Sequence, residues 1–164
     1  MTRCRILLIG YGNPGRCDDG LGVAVAEQIE KMNISGVTVE ADYQLTIEDA
    51  AAIAEHEVVI FADASLNGPE PFSFGQIEPK ASLGFSSHSI EPCEVLSLAH
   101  SLFGSTARGY VLAVRGYEFN RFGQYLSEKA VANLGKAVNF MESALRSGDL
   151  DFAKIVAQGP HVTV

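Results

Sequence analysis

The side chains best equipped for chemistry crowd into one loop, Gly10-Tyr11-Gly12-Asn13-Pro14-Gly15-Arg16-Cys17-Asp18-Asp19-Gly20-Leu21-Gly22. Up to Gly15 it matches G-x-G-x-x-G, the dinucleotide-binding fingerprint, with Gly10, Gly12 and Gly15 cradling a pyrophosphate and Glu40 or Asp42 available for a ribose. Such sites place the pyrophosphate on exposed amides at a helix N-terminus, where anions are favoured. Asp18 and Asp19 stand at that point and would repel it. A structural reading competes: either aspartate can cap the following helix, leaving the other as a surface residue.

Further candidates lie in and beyond this loop. Asp63 follows the apolar run Val59-Ile60-Phe61-Ala62, and His88 sits among serines in Ser86-Ser87-His88-Ser89. Taken singly, each has a plain explanation, a solvated loop acid and a surface histidine. Cys17 and Cys93 are possible nucleophiles, but a catalytic thiol needs a neighbouring base and no Cys and His pairing stands out. Both read better as small apolar packing groups. With no H-E-x-x-H and no G-x-S-x-G, zinc-protease and serine-nucleophile chemistry lose their usual signatures.

The elements that must position these groups alternate between strand and helix. Ile6-Leu7-Leu8-Ile9 is a continuous apolar run of the kind found in buried parallel strands. Leu21, Val25, Ile29 and Met32 recur at helical spacing and predict a helix over residues 20–32, its first turn capped by Asp18 or Asp19. A second strand is expected over 37–41, an Ala-rich helix over 47–55 and a third, fully apolar strand over 58–62. That order predicts a parallel sheet with right-handed crossovers.

Phe72, Phe74 and Ile77 alternate with polar residues and suggest an edge strand, antiparallel to its neighbour. Ser89 or Glu91 is placed to cap a helix with Pro92 in its first turn and Val95, Leu98, Ala99 and Leu102 as its apolar stripe. A core strand follows over 109–114. The last helix carries Val131, Leu134, Val138, Met141 and Leu145 and stops at Gly148. The expected fold class is α/β, a three-layer sandwich with a mostly parallel, twisted sheet of about five strands and helices on both faces. Residues 1–164 read as one domain, with 149–164 a tail of no firm pattern.

Composition agrees with an ordinary globular domain: 164 residues, 47% hydrophobic, 20% charged, no Trp. The formal charge of -8 argues against nucleic acid, because phosphate binding draws on clustered Lys and Arg. Three cysteines without C-x-x-C spacing indicate a reducing compartment. The opening apolar run is too short for a signal peptide's full pattern or a membrane span, so the expected location is the cytoplasm and no membrane partner is expected.

The wider string G-x-G-N-P-x-x-x-D-D-G-x-G, from Gly10 to Gly22, resembles the opening motif of the hydrogenase maturation protease family. Val59-Ile60-Phe61-Ala62-Asp63-Ala64 is similar to the family's third strand ending in an aspartate, and Ser86-Ser87-His88-Ser89-Ile90 to its histidine-bearing segment before a helix. The likeness runs over about residues 5 to 147.

It implies an endopeptidase, with a carboxylate-based, possible aspartic-type chemistry, that removes the C-terminal extension of a nickel-iron hydrogenase large-subunit precursor after nickel insertion. By the same resemblance Asp19, Asp63 and His88 form both the metal site and the catalytic centre. The nickel is supplied by the precursor, no organic cofactor is expected, and the default state is a monomer. Carboxylates with an imidazole suit a borderline divalent metal such as nickel or zinc. A histidine just ahead of a helix is kept neutral, and so ligating, by the helix field.

Some relatives carry Glu where this chain has Asp19, which leaves Asp18 as a substitute ligand. Gly12, Asn13, Asp18, Gln44 and Glu118 are further candidates for touching the precursor. Tyr43-Gln44-Leu45-Thr46-Ile47-Glu48 and Arg115-Gly116-Tyr117-Glu118-Phe119 depart from the commoner family forms, and these segments are expected to set which precursor is accepted. A nonenzymatic nickel-binding accessory protein with the same ligands, and a dinucleotide-binding oxidoreductase or regulatory module, remain the alternatives.

Overall fold

The computed structural model describes residues 4–81 and 90–147. Its strands are β1 (Ile6–Tyr11), β2 (Val37–Asp42), β3 (Val58–Ser65), β4 (Phe72–Ile77) and β5 (Arg108–Arg115). The helices are α1 (Leu21–Lys31), α2 (Ile47–Ala54), α3 (Pro92–Phe103) and α4 (Glu128–Arg146), with a short 3₁₀ turn (Cys17–Gly20) ahead of α1. In the sheet the strands run in the order β2-β1-β3-β5-β4. The β1, β2, β3 and β5 pairings are parallel, and β4 joins β5 antiparallel at the edge.

Strand parity sorts the core into two layers. Ile6, Leu8, Val58, Ile60, Leu112 and Val114 pack with α1 and α4, among them Val25, Ile29, Ala137 and Met141. Leu7, Ile9, Val59 and Phe61 pack on the opposite face with Ala50 and Ile53 of α2 and Val95, Leu96 and Ala99 of α3. Successive strand side chains point to opposite faces, so a strand buried on both sides must be apolar at every position. β1 and β3 meet that condition, and each fully buried Leu, Ile or Phe in them contributes roughly 1.5–3 kcal/mol. The three-layer α/β sandwich expected from the element order is the observed architecture.

Several local expectations need correction. Neither aspartate caps α1: the cap position is Gly20, with no side-chain hydrogen bond there, because both carboxylates are engaged elsewhere. The α3 cap falls on Glu91, which shares a capping box with Glu94 and has Pro92 following it. Ser89 lies outside the described residues, as does Gly148; α4 begins at its Ser127 cap, which accepts from the Ala130 amide, and ends at Arg146 before Ser147. Val131 and Leu102 are exposed and do not belong to the apolar stripes: the buried faces of α4 and α3 are completed by Ala130, Ala137 and Leu96 instead. Cys17 is buried as expected, whereas Cys93 is only half-buried.

Candidate functional site

The loop after β1 is held by its own glycines. At Gly22, a Cβ would meet the Ala62 carbonyl oxygen at 2.3 Å and that of Tyr11 at 2.5 Å, so the start of α1 lies directly on the ends of β1 and β3. Gly12 has φ +134 and would place a Cβ 2.1 Å from the Asp19 carbonyl oxygen, a conformation and a contact open only to glycine. Both positions serve one end, drawing the residues from Gly12 to Asp19 tightly over the carboxyl edge of the sheet.

Asp18 and Asp19 part company there. Asp18 is fully buried. Its Oδ2 accepts from the Tyr117 amide at 2.7 Å, the Glu118 amide at 2.9 Å and the Ser127 hydroxyl at 2.6 Å, while Oδ1 accepts from the Ser127 amide at 2.8 Å. Burial alone would raise its pKa, but the hydrogen bonds from Ser127, Glu118 and Tyr117 outweigh it and hold the carboxyl below its ordinary range. Asp18 thus fastens the 116–127 segment to the motif loop. That engagement makes it a structural anchor and leaves the substitute-ligand reading without support.

Asp19 is half-buried, and its Oδ2 accepts from the Asn13 amide at 2.9 Å. The Asn13 carboxamide oxygen in turn accepts from the Gly15 amide at 2.9 Å. Asp63 sits at the carboxyl end of β3, opposite Ala113 of β5, with Oδ1 accepting from the Ala64 amide at 2.8 Å. Burial raises the Asp63 carboxyl to about 6; the Ala64 amide and the neighbouring Tyr11 hydroxyl pull it down, and the charges of Asp19 and Glu91 push it up. Tyr11 is shifted upward by burial and by Asp63, and so keeps its proton. Tyr11, Asp19 and Glu91 thus all lie near enough to act on the Asp63 carboxyl. Parity explains the grouping, since Tyr11 continues the Leu7, Ile9 face of β1 that packs toward α3, and Glu91 is the α3 cap.

His88 lies outside the described residues. Among the described residues no group of three or more His, Cys, Asp or Glu side chains is arranged to hold a metal ion. Of the residues expected to touch the precursor, Gly12 and Asn13 flank Asp19, Gln44 is exposed beyond β2, and Glu118 is half-buried with its amide on Asp18. As site residues, Tyr11 and Ser127 escaped the sequence reading, and Glu91 was read there as a helix cap only. A tyrosine ending a strand beside the motif glycines, and a Ser-Glu pair ahead of an apolar helical period, were the available signals.

Anion binding on the loop is closed off by its own hydrogen bonds. The amides of Gly12, Asn13, Gly15, Arg16, Cys17, Asp18 and Asp19 donate to Asp42, Asp19, Asn13, Asn13, Gly123, Glu118 and Arg16 respectively, and Pro14 has none to give. A pyrophosphate cradle needs such amides pointing outward. Of the two acids offered for a ribose, Glu40 and Asp42, the Asp42 carboxylate accepts from the Tyr43 amide at 2.8 Å.

No family model and no curated protein matches this chain. Solved structures do. A nickel-iron hydrogenase maturation protease, HycI, from Thermococcus kodakarensis KOD1 superposes with a TM-score of 0.70 at 23% identity, covering 88% of this chain and 94% of that one. The fold is that of the hydrogenase maturation proteases. The hydrogenase maturating endopeptidase HybD from E. coli matches this maturation-protease fold with a TM-score of 0.68 at 23% identity, over 88% of this chain and 94% of its own. A hydrogenase 2 maturation peptidase from a Thaumarchaeota archaeon follows at 0.64 and 21%, over 86% and 97%. Placed on the maturation-protease fold, the Asp19 and Asp63 carboxylates stand at the carboxyl ends of β1 and β3, where β1 turns one way to β2 and β3 the other way to β5. Ligands of open α/β sheets bind at such a switch point. Among the described residues no helix is long and apolar enough to cross a membrane.

Proposed function

We propose that this protein is an endopeptidase that removes the C-terminal extension of a nickel-iron hydrogenase large-subunit precursor once nickel has been inserted. The observation that carries this reading is the Asp63 carboxylate, raised to about 6 beside Asp19 at the switch point, within a fold shared with hydrogenase maturation proteases. Asp19, Asp63 and His88 are the residues proposed to meet the precursor's nickel, which arrives as part of the substrate. Carboxylate oxygens and a neutral imidazole form a donor set suited to that ion.

The chain's own residues divide the work. Asn13 fixes Asp19 by its amide, and the Ala64 amide fixes one oxygen of Asp63, so both carboxylates are oriented before the client arrives. A carboxyl that titrates near 6 is ionised at neutral pH yet more basic than an ordinary aspartate. Asp63 is therefore suited to take the proton of a water attacking the scissile carbonyl. Cytoplasmic location and a monomeric state belong to the same proposal.

Incubating the protein with nickel-loaded and nickel-free precursor and weighing the products by mass spectrometry tests the reading. Cleavage confined to the loaded precursor, and abolished in Asp63→Asn, is expected. Nickel binding without cleavage of either precursor would instead make the chain a metal-handling accessory protein.

A further inference from the structure

A cavity of about 410 Å³ opens on the α1 side of the motif loop, away from the face that carries Tyr11 and Asp63. Its walls include Pro14, Val23, Glu27, Tyr43, Tyr125 and Leu126. Both of its tyrosines are exposed, Tyr43 at 70% and Tyr125 at 49%, and Phe122 nearby is 87% exposed with the Arg16 guanidinium over its ring. Clustered exposed aromatics around a concave surface are the composition of an interaction hot spot.

The walls are built in advance. Gly123 donates to the Gly15 carbonyl at 2.8 Å and accepts from the Cys17 amide at 2.9 Å, which lays the 121–126 segment alongside the motif loop. The Asp18 carboxylate clamps both flanks of that segment through Tyr117, Glu118 and Ser127. A groove bounded by clamped backbone pays little ordering entropy when it is filled. Glu27 is the one Asp, Glu, Lys or Arg among the described residues lining it, and the whole chain carries -8.

We infer that this groove seats an extended segment of the client polypeptide in which an apolar side chain, held between Tyr43 and Tyr125, neighbours a basic one that pairs with Glu27. The inference rests on the endopeptidase reading for the client's identity but not for the groove's chemistry. It gives the motif loop two sides, one presenting carboxylates to the metal and the other gripping the chain that brings it. Selectivity among precursors would then come from Tyr43, Glu27 and Tyr125, remote from the reacting bond.

Two measurements test it on the full-length protein. With nickel-loaded precursor as substrate, Tyr43→Ser/Tyr125→Ser and Glu27→Lys should each raise KM about tenfold, with kcat and nickel affinity held near the wild-type values. Independently, amide NMR shifts at Val23, Ala24 and Leu126 should report binding of a hexapeptide alternating arginine and valine, with a glutamate-valine hexapeptide inert and Glu27→Lys abolishing the response. An unchanged KM in folded variants, or equal shifts from both peptides, overturns the inference. If the wild type cleaves no precursor yet binds the arginine-valine peptide at these residues, the endopeptidase reading fails and the groove stands.

Discussion

Asp63 carries its charge at a cost to the fold. Its folded pKa of about 6 lies above the ordinary 3.8, so the native state holds a proton that the unfolded chain has released between those values. Stability contributed by the protonated form is complete below about 3.8, declines as pH rises through that window, and is gone above about 6. An Asp63→Asn variant keeps an oxygen for the Ala64 amide and cannot ionise. It should therefore be more stable than the wild type at pH 7.5, by on the order of 1–2 kcal/mol once partial solvent screening of the shift is allowed for, with no such gain near pH 4. Urea melts at both pH values measure this, and a variant less stable than wild type at pH 7.5 would show that the charge is not a burden. If Asp63 meets nickel as proposed, the same proton competes with the cation, and nickel affinity of the wild type, followed by calorimetry, should weaken as pH drops through about 6.

Asp18, in the motif loop, has the opposite sign. Asp18 is held below the ordinary range by four donors, so it contributes stability that is present above about 3.8 and lost as pH falls through its depressed folded value. Removing the carboxylate strands the Tyr117, Glu118 and Ser127 amides. Asp18→Ala should cost about 3 kcal/mol in chemical denaturation, a far larger loss than Asp19→Ala, which frees the Asn13 amide alone. Equal losses would mean that the two aspartates share the load.

At the scale of elements, the site depends on how closely α1 sits on the sheet. Gly22→Ala would drive a methyl into the Ala62 and Tyr11 carbonyls, where backbone cannot yield. We expect about 2–3 kcal/mol of destabilisation and, if Asp19 meets nickel as proposed, weaker nickel binding, because the displaced loop carries Asp19 with it. Gly135→Ala is the control: a Cβ there meets nothing within 4 Å, and replacing a mid-helix glycine should stabilise α4 by up to about 1 kcal/mol.

The same elements show what could be read from the residues. β1, β3 and the buried stripe of α1 follow from unbroken apolar runs and a helical period, because burial on both faces leaves no other composition. Asp63 was legible as the polar residue ending such a run. The distinct fates of Asp18 and Asp19 were not, since they turn on Tyr117, Glu118 and Ser127, about a hundred residues distant, and no local pattern encodes a contact of that reach. Val131 matches the α4 period, yet among the described residues nothing covers it and it stands 53% exposed. His88 was picked out by its resemblance to a family segment and lies outside the described residues.

Over the whole molecule, acidic charge is both global and local. The chain carries -8, the charges of Asp19 and Glu91 act on Asp63 on one side of the motif loop, and Glu27 lines the groove on the other. A field of one sign over two neighbouring surfaces accelerates encounter with an oppositely charged partner and is screened beyond roughly 8 Å at physiological ionic strength. If the client presents a basic segment and a cation to these two surfaces, its association rate should fall several-fold between about 0.05 and 0.5 M salt, with dissociation changing less. Stopped-flow mixing of the protein with nickel-loaded precursor measures both constants. Glu27→Gln should flatten the salt dependence of association in part while leaving nickel affinity as it was, because the residue lies across the loop from Asp63. An association rate indifferent to salt would mean that the acidic surface serves solubility alone, and that docking is decided by the aromatic walls of the groove.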